Sequence, residues 1–412
     1  MTSTVFIFVV VYLGMILGGL PFLQLDRTGI AVLGAIALLV TRSVTLEQAE
    51  HAVHVPTLIL LFSFMVLAAQ LRLGGFYDWV TWKLGDLPLS PTVFLAGLIL
   101  LVGVLAAVFS NDVVCLSIAP ILIDVCKKRL LDPVPYLLGL ACAANIGSAA
   151  TLIGNPQNML IGARLQLDFN GYLLEAALPV LVGLCLSWWV IHTRWRDQWT
   201  GAGERVGLPG DPVRQGAHPL DQWQTLKGLG MATLLFGAFL GFDAPRELFA
   251  LAAAGVLLLS RKLHSRHMLG LVDWPVLLLF IGLFIVNAAL EQTGLPGQWI
   301  QRLGEQGIDL HQSGWLYLMT FLLSNLVSNV PAVMLLLPVT DPSQGVLLAL
   351  ASTLAGNLFI VGSIANIIVV DAAARRRIKI SWLDHARIGF PVTVLTLGIA
   401  ALWLIVWPLM RD

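Results

Sequence analysis

The sequence predicts an all-α protein that crosses a membrane many times, and three observations carry that prediction. First, 58% of the 412 residues are hydrophobic, only 12% are charged, and mean hydropathy is +0.85, whereas a soluble domain holds about 25% charged residues. Second, the apolar residues fall in blocks that approach the roughly 20 residues a helix needs to cross a bilayer. Third, some of these blocks contain Gly, Pro and Asn clusters. Broken backbone of that kind is tolerated at membrane depth only where it lines a cavity enclosed by protein.

The blocks follow in order along the chain. Residues 1–23 lack a basic leader and a small-residue cleavage site, so the block 4–23 reads as a first span and not as a signal peptide. Blocks at 28–42 and 56–73 come next. At 91–109 and 113–126 two apolar arms meet at Ser110-Asn111-Asp112, the pattern of a re-entrant hairpin. The block 135–165 is interrupted by "TLIGNPQNML", where Gly154-Asn155-Pro156 ends one half-helix and Gln157-Asn158 opens the next, with Asn145 and Thr151 just ahead of the break. After 171–193 comes the one long polar stretch, 197–224, which reads as a cytoplasmic linker. Blocks at 225–242, 247–260 and 272–290 lead to a second hairpin, 314–327 and 331–340, around Ser328-Asn329-Val330. A second broken block, 344–372, is interrupted from Gly356-Asn357 through Gly362-Ser363, with Asn366 in the place of Asn158, and 386–409 is the last span.

The two halves resemble each other. "VPTLILLFSFMVLAAQLRLGGF" (55–76) parallels "WPVLLLFIGLFIVNAALEQTGL" (274–295), "SNDVVCLSIAPIL" (110–122) parallels "SNVPAVMLLLPVT" (328–340), and "IGNPQNMLI" (153–161) parallels "VGSIANIIV" (361–369). Lys and Arg collect in cytoplasmic loops. Arg27, Lys127-Lys128-Arg129, Arg194, Arg196, Arg261 to Arg266, and Arg375-Arg376-Arg377 with Lys379 share one face if both hairpins are re-entrant and ten crossings remain. Both termini then lie outside, on the periplasmic side of an inner membrane. Five crossings per half is an odd number, so the second copy is inverted. The expected organisation is a first inverted repeat over 1–196, the linker 197–224, and a second repeat over 225–412. Inverted repeats with broken helices mark secondary transporters.

A helix broken at the midplane offers amide donors on one half and carbonyl acceptors on the other, which suits ions and polar solutes. The candidate binding residues are therefore Ser110, Asn111, Asp112, Asn145, Thr151, Gly154, Asn155, Asn158, Ser328, Asn329, Asn357, Gly362, Ser363 and Asn366. Asp112 is the one carboxylate placed at this site, and intramembrane carboxylates are costly unless used, so it is the candidate for proton coupling or for a cation. Asp124 is expected to pair locally with Lys127 and Lys128, His192 and His385 to be interfacial, and Trp188, Trp189, Trp195, Trp382 and Trp407 to form an aromatic belt. The cysteines (Cys115, Cys126, Cys142, Cys185) show no metal-ligand or disulfide spacing. No metal or organic cofactor is expected, only Na+ or H+ as coupling ion. Zero net charge argues against nucleic acid as a partner. An enzyme is disfavoured because no nucleophile–base pair or nucleotide loop is visible.

On these motifs the sequence resembles the ion transporter superfamily, which includes arsenite permeases, NhaD-type sodium/proton antiporters, citrate transporters and divalent anion symporters. The likeness spans nearly the whole chain and is strongest in "SNDVVCLSIAPILIDVCKKRLLDPVPYLLGLACAANIGSAATLIGNPQNMLIG" and in 328–370. It implies a scaffold and a mobile transport domain working as an elevator, a homodimer, and a small anion substrate, arsenite-like or carboxylate. The family's Ser-Asn-Thr tips correspond to Ser110-Asn111-Asp112 and Ser328-Asn329-Val330. Asp112 in place of Thr is closer to the arsenite permeases than to the dicarboxylate symporters, and Val330 removes a hydroxyl that would help hold a second carboxylate. The alternative function is a sodium/proton antiporter.

Overall fold

The computed structural model describes residues 2–19, 23–196, 199, 220–242 and 245–410, and among these there is no β-strand. Most of the expected linker 197–224 lies outside the described residues. The chain runs through two series of ten helices. The first is α1 (Thr2–Leu17), α2 (Arg27–Val40), α3 (Leu46–Ala52), α4 (Val55–Leu73), α5 (Phe76–Asp86), α6 (Pro91–Phe109), α7 (Asn111–Lys128), α8 (Pro133–Ser148), α9 (Pro156–Arg164) and α10 (Phe169–Arg194). The second is α11 (Gln222–Gly241), α12 (Arg246–Leu258), α13 (Ser265–Leu269), α14 (Trp274–Glu291), α15 (Leu295–Glu305), α16 (Ser313–Val327), α17 (Asn329–Leu336), α18 (Gly345–Ala355), α19 (Ile364–Arg375) and α20 (Trp382–Leu409).

The two series run in the same order, although α17 has 8 residues where α7 has 18. The short α3, α5, α13 and α15 are additions to the sequence reading, because none is long enough to stand out in a span-length window. Five helices, α4, α6, α10, α14 and α20, are long and apolar enough to cross a membrane. At 14 and 13 residues, α2 and α12 reach only about 20 Å, short of the roughly 30 Å hydrocarbon core.

Packing also matches between the halves, and it interleaves them. Helix α2 lies along α14 and α12 along α4, so the second helix of each series packs on the fourth of the other. Helices α10 and α20 pack together, α7 packs on α19, and α9 on both α17 and α18.

Helices α6 and α7 pack as one helical hairpin, and α16 and α17 as another. The open end of α6–α7 is closed by Arg129, which donates to the Gly85 carbonyl at 3.3 Å and to that of Leu89, and which lies 4.7 Å from the Phe94 ring centroid. The open end of α16–α17 is closed by Gln344, whose amide donates to the His311 carbonyl at 2.8 Å. Each hairpin lies against the helix that precedes a break, α6 on α8 and α16 on α18. The α6–α8 crossing is a backbone contact. A Cβ on Gly147 would stand 2.3 Å from the Gly103 carbonyl oxygen, so only glycine fits.

Candidate functional site

The two tips share one unusual backbone conformation. Ser110 and Ser328, each the residue that turns its hairpin, have φ of 68° and 78°. Left-handed geometry in a non-glycine residue costs on the order of 1–3 kcal/mol and persists where its surroundings over-determine it. Here the residue after each serine is clamped to a break. The Asn111 backbone N–H donates to the Gly154 carbonyl at 3.0 Å. The Asn329 side-chain amide, turned so that its nitrogen faces carbonyls, donates to Gly362 at 3.3 Å and Ser352 at 3.0 Å. Tip one sits on break one, and tip two on break two.

The breaks are joined by a buried amide network. Asn145, near the end of α8, donates to the side-chain oxygens of Asn357 and Asn366, both at 3.0 Å. It accepts from Asn111 at 3.1 Å and from the Ser363 hydroxyl at 2.8 Å. In the other half Thr353, near the end of α18, donates to the Asn158 oxygen at 3.3 Å and accepts from Asn155 at 3.2 Å. Each arm that precedes a break therefore bonds the second-arm asparagine of the opposite break. Further amide hydrogens go to broken-helix carbonyls and to Tyr172. Asn366 donates to Gly356 at 2.8 Å and Phe359 at 3.0 Å, and Asn158 donates to Thr151 at 3.0 Å and to the Tyr172 hydroxyl at 3.0 Å. Asn155 caps α9 by accepting from the Asn158 N–H at 2.8 Å, with Pro156 in the first turn where its missing donor costs nothing.

The predicted residues thus divide into two groups. Asn111, Asn145, Thr151, Asn155, Asn158, Asn329, Ser363 and Asn366 are buried and bonded within the protein. Gly154 is held at backbone distance from Ser148, with a Cβ there meeting the Ser148 oxygen at 2.2 Å. Asn357 accepts from Asn145 but leaves its own nitrogen without a partner, and Gly362 is buried in break two. By contrast Ser110, Asp112 and Ser328 are only half-buried, and their side chains make no hydrogen bond among the described residues. The geometry is a buried amide frame carrying two half-buried serine tips and one carboxylate.

A family model described as citrate transporter matches residues 6–345. The chain belongs to the citrate transporter family. Citrate transporters of this group fall in the ion transporter superfamily, and the present chain is a multi-pass membrane transporter. It is 28% identical to a 46 kDa membrane protein of Mycobacterium leprae over 92% of both chains. It is 26% identical to a silicon efflux transporter of Oryza sativa, again over 92% of both chains. The fold is shared with the crystal structure of the YdaH transporter of Alcanivorax borkumensis, at a TM-score of 0.56 and 13% identity over 98% of each chain.

Several residues of this citrate transporter family member escape the sequence reading. Thr353 and Ser148 complete the network, and only alignment of the two breaks could have drawn attention to Thr353, in the register of Asn145. Tyr172 carries no local signal at all. Two expectations need correction. Asp124 does not rely on local pairing, and Lys128 is engaged elsewhere. Asp124 is almost fully buried and takes a bidentate contact from Arg376, 252 residues away, at 3.1 and 3.3 Å, while Lys128 pairs with Asp86 at 2.8 Å. A buried carboxylate needs a partner, and α19 brings one. His385 is not interfacial either: it is 2% exposed, with Nε2 3.0 Å from the Asn357 carbonyl in break two.

Proposed function

We propose that this protein is a secondary transporter of a small anion or oxyanion in the inner membrane, driven by a proton or sodium gradient. The observation that carries the reading is the duplicated tip-and-break unit with its reciprocal bonds, Asn145 to Asn366 and Thr353 to Asn158. An enzyme needs one asymmetric constellation. A carrier that presents one site to two sides is well served by two related ones.

In this reading the halves over 1–196 and 225–412 are inverted repeats joined by a cytoplasmic linker, and both termini are outside. The hairpins and broken helices form a transport domain that moves as an elevator against a scaffold, within a homodimer. Ser110 and Ser328 contact the solute and Asp112 takes up the coupling ion, because these half-buried side chains make no hydrogen bond among the described residues. The asparagines shape the site, and the broken-helix backbone supplies the remaining donors and acceptors.

Reconstitution into proteoliposomes tests it. Uptake of at least one of arsenite, orthosilicic acid, phosphate or citrate should require an imposed proton or sodium gradient, and absence of gradient-dependent uptake for all four would overturn the proposal. The half-buried Asp112 carboxylate, without a hydrogen bond among the described residues, also suits a second reading, a sodium/proton antiporter in which it is the shared cation site. It predicts sodium-driven proton movement with no anion present. Cysteine labelling from each side tests the termini, and cross-linking in native membranes tests the dimer.

A further inference from the structure

A second cavity lies away from the tips, between α3, the end of α9, α14 and α17. Its volume is about 430 Å³, and His51, Arg164, Phe284, Asn287, Glu291 and Met334 are in its wall. Asn287 is 8% exposed. Its oxygen is occupied by the Tyr12 hydroxyl at 2.7 Å, which leaves the Nδ2 hydrogens without a partner. A buried amide with unused donors is costly, and here it stands in the wall of a space large enough to hold what would satisfy it. The Arg164 guanidinium is held 5.9 Å from the Phe284 ring centroid, and its charge acts on Glu291. The fold does not demand these groups. Where the first half aligns with this helix, Ala68 replaces Asn287 and Arg72 replaces Glu291.

We propose that this cavity is a binding site for a small tetrahedral oxyacid that keeps at least one oxygen protonated. The inference rests on reading the protein as an oxyanion carrier, and in the topology proposed above the site opens on the outer face. The donor count decides the ligand class. Arg164 and Asn287 offer only donors at this wall, so they require oxygen acceptors. Ionised Glu291 is acceptor-only, so the ligand must also bring a hydroxyl. A fully ionised anion of the same shape satisfies Arg164 and Asn287 but meets Glu291 with like charge and no proton to share. Phosphate at neutral pH and orthosilicic acid carry such hydroxyls, and sulfate does not.

The test places a cysteine at Ala288, which also lines the cavity, in full-length protein with the exposed Cys185 changed to Ser. Maleimide labelling then reports occupancy without requiring transport. At ten times its dissociation constant an occupant slows labelling about tenfold. Phosphate or orthosilicic acid should give this protection and sulfate should not. Arg164→Gln, a change at an exposed position, should remove the protection, and Glu291→Gln should let sulfate protect. Equal protection by sulfate in the parent, or no protection by phosphate and orthosilicic acid, overturns the site. Protection without any uptake in proteoliposomes keeps the site and defeats the transport reading, and uptake without protection does the reverse.

Discussion

Arg27 and Arg246 open corresponding helices, α2 and α12, yet they hold different parts of the neighbouring breaks. Arg27 donates to the Val361 carbonyl, inside break two, at 3.5 Å. Arg246 donates to the Leu167 carbonyl, beyond the end of α9. In the register of the two halves Ile153 stands where Val361 does, so a symmetric molecule would set Arg246 on Ile153. Instead both residues line one cavity of about 430 Å³. The halves are alike in how each tip meets its break and unlike in how each break meets the helices around it. Under the elevator proposed above, a difference located there marks one end of its travel.

The comparison is broken most completely at the tips. Asp112 and Val330 occupy equivalent positions, and only one of them can carry a proton. Asp112→Asn keeps the shape and much of the polarity but removes the charge change. It should abolish transport driven by a pH gradient while solute exchange in the absence of a gradient survives. Unchanged gradient-driven uptake with an unchanged pH profile would remove Asp112 from coupling and leave it a residue of the first turn of α7.

Next in size is a matched pair of backbone contacts. A Cβ on Gly154 would lie 2.2 Å from the Ser148 oxygen, but on Gly362 the nearest atom is the Gly356 oxygen at 3.2 Å. Break one is the tighter. Gly154→Ala should cost at least about 3 kcal/mol, the upper range for overpacking, against about 1 kcal/mol for Gly362→Ala. Thermal unfolding in detergent measures both, and equal losses would mean that the two breaks relax alike.

The network gives a third, smaller contrast. Asn145 makes four side-chain bonds and Thr353 makes weaker ones, at 3.2 Å or longer. Asn145→Ala strands buried partners and should cost about 2–3 kcal/mol, and Thr353→Ala about 1 kcal/mol. The same thermal measurement checks the order, which reverses if α18 and not α8 anchors the breaks.

What the sequence disclosed follows the same division. Tips and breaks are legible because Ser, Asn, Gly and Pro inside apolar runs leave few physical options, and duplication repeats the signal. Which asparagine bonds which is not legible, since Asn145 meets residues more than 200 positions away. Asp124 reads as a partner of nearby lysines for the same reason: helical spacing is visible in sequence, and the approach of α19 is not. The Asn287 cavity is hidden for a further reason. One amide in an apolar helix reads as packing until its neighbours on α9 and α17 are known.

The smallest expected effect bears most directly on the Arg27–Arg246 comparison. The Arg27 contact is long and half-buried, so it contributes about 0.5–1 kcal/mol to the arrangement observed. Removing it by Arg27→Gln should raise the population of the opposite arrangement by a factor of roughly 2–5. If the proposed elevator exchanges the arrangements of the two halves, the cavity between Ile153 and Arg246 closes in the opposite state, because the equivalent contact moves to the first half. Cysteines placed at both positions should therefore cross-link slowly in an otherwise unaltered chain and about 2–5 times faster when Arg27→Gln is added. The reciprocal change is already present in this pair, since the cysteine at 246 removes the Arg246 bond to Leu167. The comparison must accordingly be made between two chains that both carry it. If Arg27→Gln leaves the cross-linking rate unchanged, Arg27 does not discriminate between the states. If it slows the rate, the asymmetry is a fixed property of the fold and not a position along the transport path.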